Sequence, residues 1–311
     1  MRNTKFFATT LFVFMLTLTA GCASSRKKPA EVAGPTPQGP PISAPTSSET
    51  FGPPMPPVQP TYGPELQHAR PVVLVLGPGL ARGFVFAGVL RALREKKIPV
   101  GAILGTEMGG LIAALYGTSK NLNQFEWALL RVKEEFFVVN EGFLARLGSN
   151  DVSRAKKLQA FLDQTFEKKD LKDSKIPLRI SVQAAESGVP MLLDQGSIAA
   201  AIRGTLANPT LFSPSPWQAY GQTIPIMSSA QTRPFPIEEA KALAIGPVIA
   251  IDVTEDSALA QDELKGADLV VRPDLNGIQY KDFKKRTEAA YRGKKAILEH
   301  ETEIRRLISD S

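Results

Sequence analysis

One stretch of the chain decides the fold: Leu76–Gly117, which reads "LGPGLARGFVFAGVLRALREKKIPVGAILGTEMGGLIAALYG". The apolar run Val72–Gly77 leads into its first glycine turn, and a second apolar run, Val100–Leu104, leads into its second. Between the turns, apolar residues follow the i, i+3, i+4, i+7 spacing of one helix face. The order strand, glycine turn, helix occurs twice in succession. This order predicts an α/β fold with a mainly parallel sheet.

The rest of the chain shows further apolar runs, typical of buried strands, and further stretches with helical spacing. A charged, amphipathic stretch predicts one C-terminal helix from about 281 to 308. The other predicted elements are helices over 123–134, over 152–166 and from Ser197, and strands over 178–184, 190–193, 247–253 and 269–271.

Composition excludes several classes of function. The chain has 311 residues, a formal net charge of +6 and 43% hydrophobic residues, enough for one substantial core. Its basic residues form no stripe interleaved with aromatics, so we predict no nucleic-acid binding. One cysteine and two distant histidines, His68 and His300, argue against a metal site. The turn Gly77–Gly83 departs from the dinucleotide and P-loop spacings, so we predict no cofactor.

The N-terminus has the pattern of a secretory signal peptide. Basic residues in Met1–Lys5 precede the mostly apolar run Phe6–Leu18, and small residues lead to Cys22. The apolar run is too short to span a membrane comfortably. We predict a signal peptide over 1–21.

The sequence "LTAGC", Leu18–Cys22, resembles a bacterial lipobox, which is cleaved before a cysteine whose sulfur carries the lipid. It departs from that pattern at Thr19, where leucine is usual. Because Ala23 rather than aspartate follows the cysteine, the resemblance implies the periplasmic face of an outer membrane. The alternative is a plain signal peptide with an incidental cysteine.

A proline-rich tether, 22–66, follows the predicted lipidation site. Residues 29 to about 66 hold nearly half of the chain's 25 prolines and few large apolar residues, a composition that cannot bury enough surface to fold. Such a spacer reaches roughly 100 Å at ~3 Å per residue. Docking peptides for a partner are the alternative. Residues 67–311 are the predicted folded domain.

Motifs along the domain resemble the patatin-like phospholipase family, bacterial branch. That family opens with a strand, a G-G-G-x-R-G turn, a helix, a strand and a G-x-S-x-G elbow, as Leu76–Gly117 nearly does. The stretches Gly196–Pro216, Ile224–Val253 and Ala267–Gly277 resemble later parts of the family. The resemblance implies a three-layer α/β/α fold with a mainly parallel central sheet, and a Ser-Asp dyad acting on acyl esters.

The nucleophile position of the family carries a glutamate. Glu107 stands where the elbow has serine, between the elbow glycines Gly105 and Gly109. A carboxylate at a helix N-terminus is favoured electrostatically, but it is a poor acyl acceptor. Carboxylate nucleophiles on other elbows pair with a histidine base, and no histidine lies between His68 and His300.

The family's acid position also differs. Its spacing to Pro236 places the family aspartate at Ser228, beside Ser229, and the chain contains no Asp-Gly dipeptide. If Glu107 and Ser228 face each other, the dyad is swapped, with the carboxylate on the elbow and the hydroxyl on the loop. Such a pair is either a structural relic or an inverted catalyst.

The oxyanion turn departs from the family at its glycines. Pro78 has no N–H to donate, and Leu80 disfavours the positive φ that glycine permits. Gly79, Arg82 and Gly83 keep the family residue types. We interpret Arg82 as satisfying carbonyl oxygens and Gly83 as allowing close packing, roles that the fold needs with or without catalysis.

Together these departures predict a lipid-anchored envelope protein with a patatin-like fold and no acyl hydrolase activity. The predicted partners are a membrane, through the anchor at Cys22, and a lipid, an acyl chain or a protein in the cleft. Two alternatives remain open. One is an active serine-type lipid acyl hydrolase with a non-standard or swapped dyad, and the other is a tethering protein that acts through its proline-rich arm.

Overall fold

The computed structural model describes residues 69–138, 150–209, 211–219, 221–254 and 258–309. The predicted signal peptide, Cys22 and the tether 22–66 lie outside the described residues. Within the described part, the strands are β1 Val72–Leu76, β2 Val100–Thr106, β3 Leu178–Ala184, β4 Pro190–Leu193, β5 Ser215–Ala219, β6 Gln222–Ser228, β7 Val248–Ile251 and β8 Leu269–Val271. The helices are α1 Val85–Glu95, α2 Met108–Thr118, α3 Leu122–Leu130, α4 Asn150–Phe166, α5 Ile198–Thr205, α6 Ile237–Ala242, α7 Ala258–Leu264, α8 Arg286–Glu299 and α9 Glu301–Ser309.

The described strands form one sheet of eight strands with the order β5-β6-β3-β2-β1-β7-β8, and β4 pairs with β3. The pairs β3-β2, β2-β1, β1-β7 and β7-β8 are parallel. The strands β4, β5 and β6 add antiparallel pairs at one side. The predicted α/β fold with a mainly parallel central sheet is therefore confirmed.

The central strand is buried on both faces, which explains its unbroken apolar run. Val72, Leu74 and Leu76 of β1 pack into the larger core, which includes apolar residues of α1, α2, α4, α5, α8 and α9. Val73 and Val75 point the other way, into a smaller core with residues of α6 and α7. Helices thus cover both faces of the sheet, which is the three-layer α/β/α arrangement.

The predicted C-terminal helix is divided in the structure. A 3-10 helix, Phe283–Lys285, precedes α8, and His300 separates α8 from α9 with φ −99° and ψ 6°. After this break, Ile304 and Ile308 of α9 are both fully buried in the core.

Sequence periodicity missed the hairpin of β5 and β6. Each strand contains a proline, and Pro216 lies opposite Pro225 in the pairing register. Proline is tolerated near a sheet edge, where a strand lacks one neighbour, and β5 is the edge strand here. The short helices α6 and α7 were also not predicted. Among the described helices, none combines the length and apolar character needed to cross a membrane.

Candidate functional site

The turn between β2 and α2 brings Glu107 to the carboxyl edge of the parallel strands. Glu107 itself connects the two elements, with φ 54° and ψ −118°. A positive φ is unusual for a residue with a side chain and is held only where the surroundings demand it. This strained strand-to-helix connection is the geometry of a nucleophile elbow.

The elbow glycines allow the backbone to turn this closely. A Cβ atom on Gly105 would lie 2.5 Å from Cα of Gly110, and one on Gly109 would lie 2.3 Å from the carbonyl oxygen of Leu76. Neither distance leaves room for a side chain. The strand β1, the strand β2 and the start of α2 therefore meet at the position of Glu107.

The turn after β1 supplies two main-chain donors to this point. The N–H of Gly79 donates to Oε2 of Glu107 at 3.0 Å, and the N–H of Leu80 donates to the same oxygen at 3.2 Å. Leu80 adopts a positive φ of 44° despite its side chain. The turn thus converges two N–H groups on one oxygen, although it lacks the three consecutive glycines of the family.

The other residues of this turn have structural contacts. Pro78 has no N–H to donate. The Arg82 guanidinium donates through Nε to the carbonyl oxygen of Ile278 at 2.9 Å, in agreement with the interpretation that it satisfies a carbonyl. A Cβ atom on Gly83 would lie 2.4 Å from Cγ of Met108, so this glycine lets the turn pack against the start of α2.

Two residues that sequence reasoning missed complete the surroundings of the carboxylate. The hydroxyl of Tyr280 donates to Glu107, 3.1 Å from Oε1 and 3.3 Å from Oε2. The side chain of Asn208 also forms a hydrogen bond to Glu107. Asn208 lies in the Gly196–Pro216 stretch, and Tyr280 lies just beyond Ala267–Gly277. Proximity to these family-like stretches was their only sequence signal.

The site is closed to solvent at the carboxylate. Glu107 has 0% exposure, whereas Tyr280, which contacts it, is 38% exposed. Burial raises the pKa of Glu107 above the ordinary glutamate value, and the hydrogen bonds from Gly79, Leu80, Tyr280 and Asn208 oppose that rise. Burial, and then the neighbouring Glu107, raise the pKa of Tyr280, so its hydroxyl stays protonated and donates.

Hydrogen bonds through Thr205 and Ser181 connect the elbow with Ser229, beside the family's acid position. The N–H of Glu107 donates to Oγ1 of Thr205 at 2.8 Å, and that hydroxyl donates to the carbonyl oxygen of Ser181 at 2.7 Å. The side chain of Ser181 in turn shares a hydrogen bond of 2.8 Å with that of Ser229.

Ser228 lies at the end of β6 but does not hydrogen-bond to the carboxylate of Glu107. Its N–H donates to the carbonyl oxygen of Ala207 at 3.2 Å, and its hydroxyl accepts from the N–H of Ala230 at 3.2 Å. Among the described residues, Ser228 and Ser229 are not hydrogen-bond partners of the Glu107 side chain. The structure therefore does not contain the direct Glu–Ser pair that a swapped dyad requires.

The arrangement is a filled anion site. Two main-chain N–H groups and a tyrosine hydroxyl are aimed at one point, as donors are in an oxyanion hole. The carboxylate of Glu107 occupies that point and accepts all three hydrogen bonds. In the part of the chain that the structure describes, no group of three or more His, Cys, Asp or Glu residues could hold a metal ion.

Comparison with known proteins agrees with the fold and the elbow. The family model for patatin-like phospholipase matches residues 74–240, which covers both glycine turns, Glu107 and Ser228. Parallel strands that lead into a strained strand-to-helix elbow are typical of α/β proteins with a hydrolase fold. Within that class, the chain belongs to the patatin-like phospholipase family.

The chain is also similar to parts of longer proteins. Human patatin-like phospholipase domain-containing protein 6 is 26% identical over 231 residues, which are 67% of this chain and 16% of that protein. An uncharacterized NTE family protein of Mycobacterium tuberculosis is 26% identical over 144 residues, 46% of this chain and 39% of the relative. The chain thus spans well under half the length of these relatives.

Solved structures give weaker matches. VipD from Legionella pneumophila aligns with a TM-score of 0.47 and 10% identity, covering 74% of this chain and 66% of that chain. ExoU from the type III secretion system of Pseudomonas aeruginosa aligns with a TM-score of 0.40 and 14% identity, covering 76% and 53%.

Proposed function

We propose that this patatin-like protein is a pseudoenzyme that does not hydrolyse acyl esters at its elbow. One observation carries the proposal: the carboxylate of Glu107 occupies the N–H groups of Gly79 and Leu80, which a substrate carbonyl oxygen would need in the family's reaction. An ester that entered the site would have to displace a carboxylate held by main-chain donors, Tyr280 and Asn208.

The chemistry of the remaining groups supports the same proposal. A carboxylate attacking an ester would form an anhydride, and its breakdown needs a base that activates water. At the family's acid position Ser228 has a hydroxyl instead, engaged with the N–H of Ala230. Removing one member of a catalytic unit typically costs orders of magnitude in rate, and the remaining parts do not restore it.

An activity assay tests the proposal directly. We expect the purified protein to show no turnover of p-nitrophenyl butyrate or phospholipid vesicles beyond that of a Glu107→Ala variant. Wild-type turnover that Glu107→Ala abolishes would contradict the proposal. Exposed Glu303 provides a matched control, since Glu303→Ala alters a carboxylate far along the chain, on α9.

Covalent labelling separates this proposal from an active hydrolase with relocated chemistry. A fluorophosphonate probe labels activated serines, so the alternative predicts a modified Ser228 or Ser229. We expect no label on either serine of the folded protein. Labelling that is lost in Ser228→Ala or Ser229→Ala would establish the alternative instead.

We also propose that the protein is anchored in a bacterial cell envelope through a lipid on Cys22, with the domain on the periplasmic face of the outer membrane. The sequence "LTAGC" and the proline-rich tether support this proposal. Cys22→Ser is expected to release the protein from the membrane fraction and to abolish incorporation of a labelled fatty acid. A Cys22→Ser protein that remains membrane-bound would contradict lipid anchoring.

In this proposal the domain acts by binding rather than by catalysis, with a lipid, an acyl chain or a protein as partner. Deletion of residues 29–66 with the anchor retained tests how much the tether itself contributes. If that deletion abolishes the effect of the protein in the cell while substitutions around Glu107 do not, the protein acts through its tether. The binding role of the domain is then refuted.

A further inference from the structure

A cavity of about 450 Å³ lies between α4, α5 and the loop that follows α5. Its volume falls in the range of about 300–1,000 Å³ that is typical of small-molecule sites. The lining includes Val152 and Lys156 of α4, Arg203 of α5, and Leu211, Phe212 and Ser213 of the loop. None of the described lining residues hydrogen-bonds to the Glu107 side chain, and the inference below holds whether or not Glu107 takes part in any reaction.

The described lining carries two cationic side chains. Arg203 and Lys156 are cationic, and no aspartate or glutamate lines the cavity among the described residues. Nη1 of Arg203 is buried and has no hydrogen-bond partner there. Burial lowers the pKa of the Arg203 guanidinium. A buried guanidinium nitrogen without an acceptor is costly, so its presence needs an explanation.

The position of Arg203 is fixed by packing against an aromatic ring. Its guanidinium lies 4.6 Å from the ring centroid of Phe212, and the guanidinium of Arg154 lies 5.5 Å from the same centroid. Arg154 donates to the carbonyl oxygens of Phe137 and Leu211. Two cations are therefore held near one ring, with Arg203 facing the cavity, and their combined field favours an anion there.

The apolar part of the lining narrows the class of ligand. Exposed Val152 and the edges of the largely buried Leu211 and Phe212 line the cavity beside the cationic groups. A guanidinium binds carboxylate or phosphate oxygens through paired hydrogen bonds. We propose that this cavity binds an anionic amphiphile, whose oxyanion pairs with Arg203 and Lys156 and whose short apolar chain contacts Leu211 and Phe212.

Calorimetric titration of the purified full-length protein tests the proposal with three probes. Hexyl phosphate carries both features, hexanol lacks the charge, and inorganic phosphate lacks the chain. We expect hexyl phosphate to bind more tightly than either of the other two. Inorganic phosphate that binds as tightly as hexyl phosphate would overturn the amphiphile and indicate a site for the free anion, and failure of hexyl phosphate to bind at millimolar concentration would overturn the site.

Variants assign the binding to these residues. Arg203→Gln is expected to weaken hexyl phosphate binding about tenfold or more, because it removes a charged donor to the oxyanion. Lys156→Gln is expected to weaken it less, while Lys157→Gln, the neighbouring lysine that pairs with Glu135 outside the cavity, leaves it unchanged. Unchanged affinity in both Arg203→Gln and Lys156→Gln refutes the assignment. If Arg203→Gln does not fold, equal affinities in Lys156→Gln and Lys157→Gln refute it.

Discussion

Replacement of Glu107 by glutamine is expected to stabilise the protein at neutral pH. Glutamine has nearly the same shape, so its carbonyl oxygen can accept from the N–H groups of Gly79 and Leu80, while its amide can donate to the hydroxyl oxygen of Tyr280. It removes the charge whose burial raises the pKa of Glu107. The desolvation cost of a buried carboxylate therefore disappears.

The pH dependence of this difference has a definite sign. Because its pKa is raised by folding, Glu107 binds its proton more tightly in the folded than in the unfolded protein. Wild-type stability then falls, relative to that of Glu107→Gln, as the pH rises from the ordinary glutamate pKa through the folded value. Each unit of pKa difference corresponds to about 1.4 kcal/mol. The advantage of glutamine should be largest at neutral pH and vanish in acid.

Alanine at the same position is expected to be less stable than glutamine. Glu107→Ala leaves the buried N–H groups of Gly79 and Leu80 without their acceptor. Each unsatisfied group costs about 1–3 kcal/mol, so the alanine variant should be about 2–6 kcal/mol less stable than the glutamine variant, before any cavity cost.

Urea unfolding followed by tryptophan fluorescence measures these differences, from about pH 4.5 to about pH 8, with unchanged m-values as the sign of two-state behaviour. Glu303→Gln, at an exposed carboxylate, is the control for loss of one negative charge. The reasoning is refuted if Glu107→Gln is no more stable than wild type at the upper pH. Equal stability of the alanine and glutamine variants would show that the side chain at position 107 is not needed as the acceptor for the N–H groups of Gly79 and Leu80.

Three further outcomes are expected. Tyr280→Phe leaves the buried carboxyl group of Glu107 without one donor and should cost about 1–3 kcal/mol, whereas Tyr291→Phe, at a residue that is 67% exposed, should change the unfolding free energy little; equal effects would count against the buried hydrogen bond. The double variant Glu107→Ser with Ser228→Asp frees the N–H groups of Gly79 and Leu80 and restores both family residue types, so it should hydrolyse p-nitrophenyl butyrate about 10²–10⁴-fold faster than Glu107→Ser alone; no gain would mean that an aspartate at 228 does not reach a serine at 107. Gly109→Ala places a Cβ atom 2.3 Å from a main-chain oxygen of β1 and should prevent folding or lower the melting temperature, and a normal melting temperature would contradict the close approach at the elbow.

Much of the fold was predictable because its signals are local. The buried run of β1, the two glycine turns and the amphipathic face of α1 each lie within a few residues of one another. The hairpin of β5 and β6 was missed because Pro216 and Pro225 argue against strands when taken alone. The break at His300 was missed because no proline or glycine marks it.

The oxyanion turn shows where local rules mislead. Residue preferences argued that Leu80 would avoid a positive φ, yet Leu80 adopts 44°. The conformation persists because the surroundings fix it: Leu80 is fully buried, and its N–H donates to Glu107. Local backbone strain of this kind, of order 1–3 kcal/mol, is offset by tertiary contacts that sequence preferences do not describe.

The sequence by itself determined the parallel α/β pattern, the glycine elbow and the presence of Glu107 at its apex. Only the tertiary structure decided what that glutamate does. Tyr280 lies 173 residues from Glu107 in the chain, and Gly79 lies 28 residues away, yet both donate to its carboxylate. Helix and strand periodicities depend on neighbours along the chain, whereas burial of a charge and the donors that satisfy it depend on how distant segments pack.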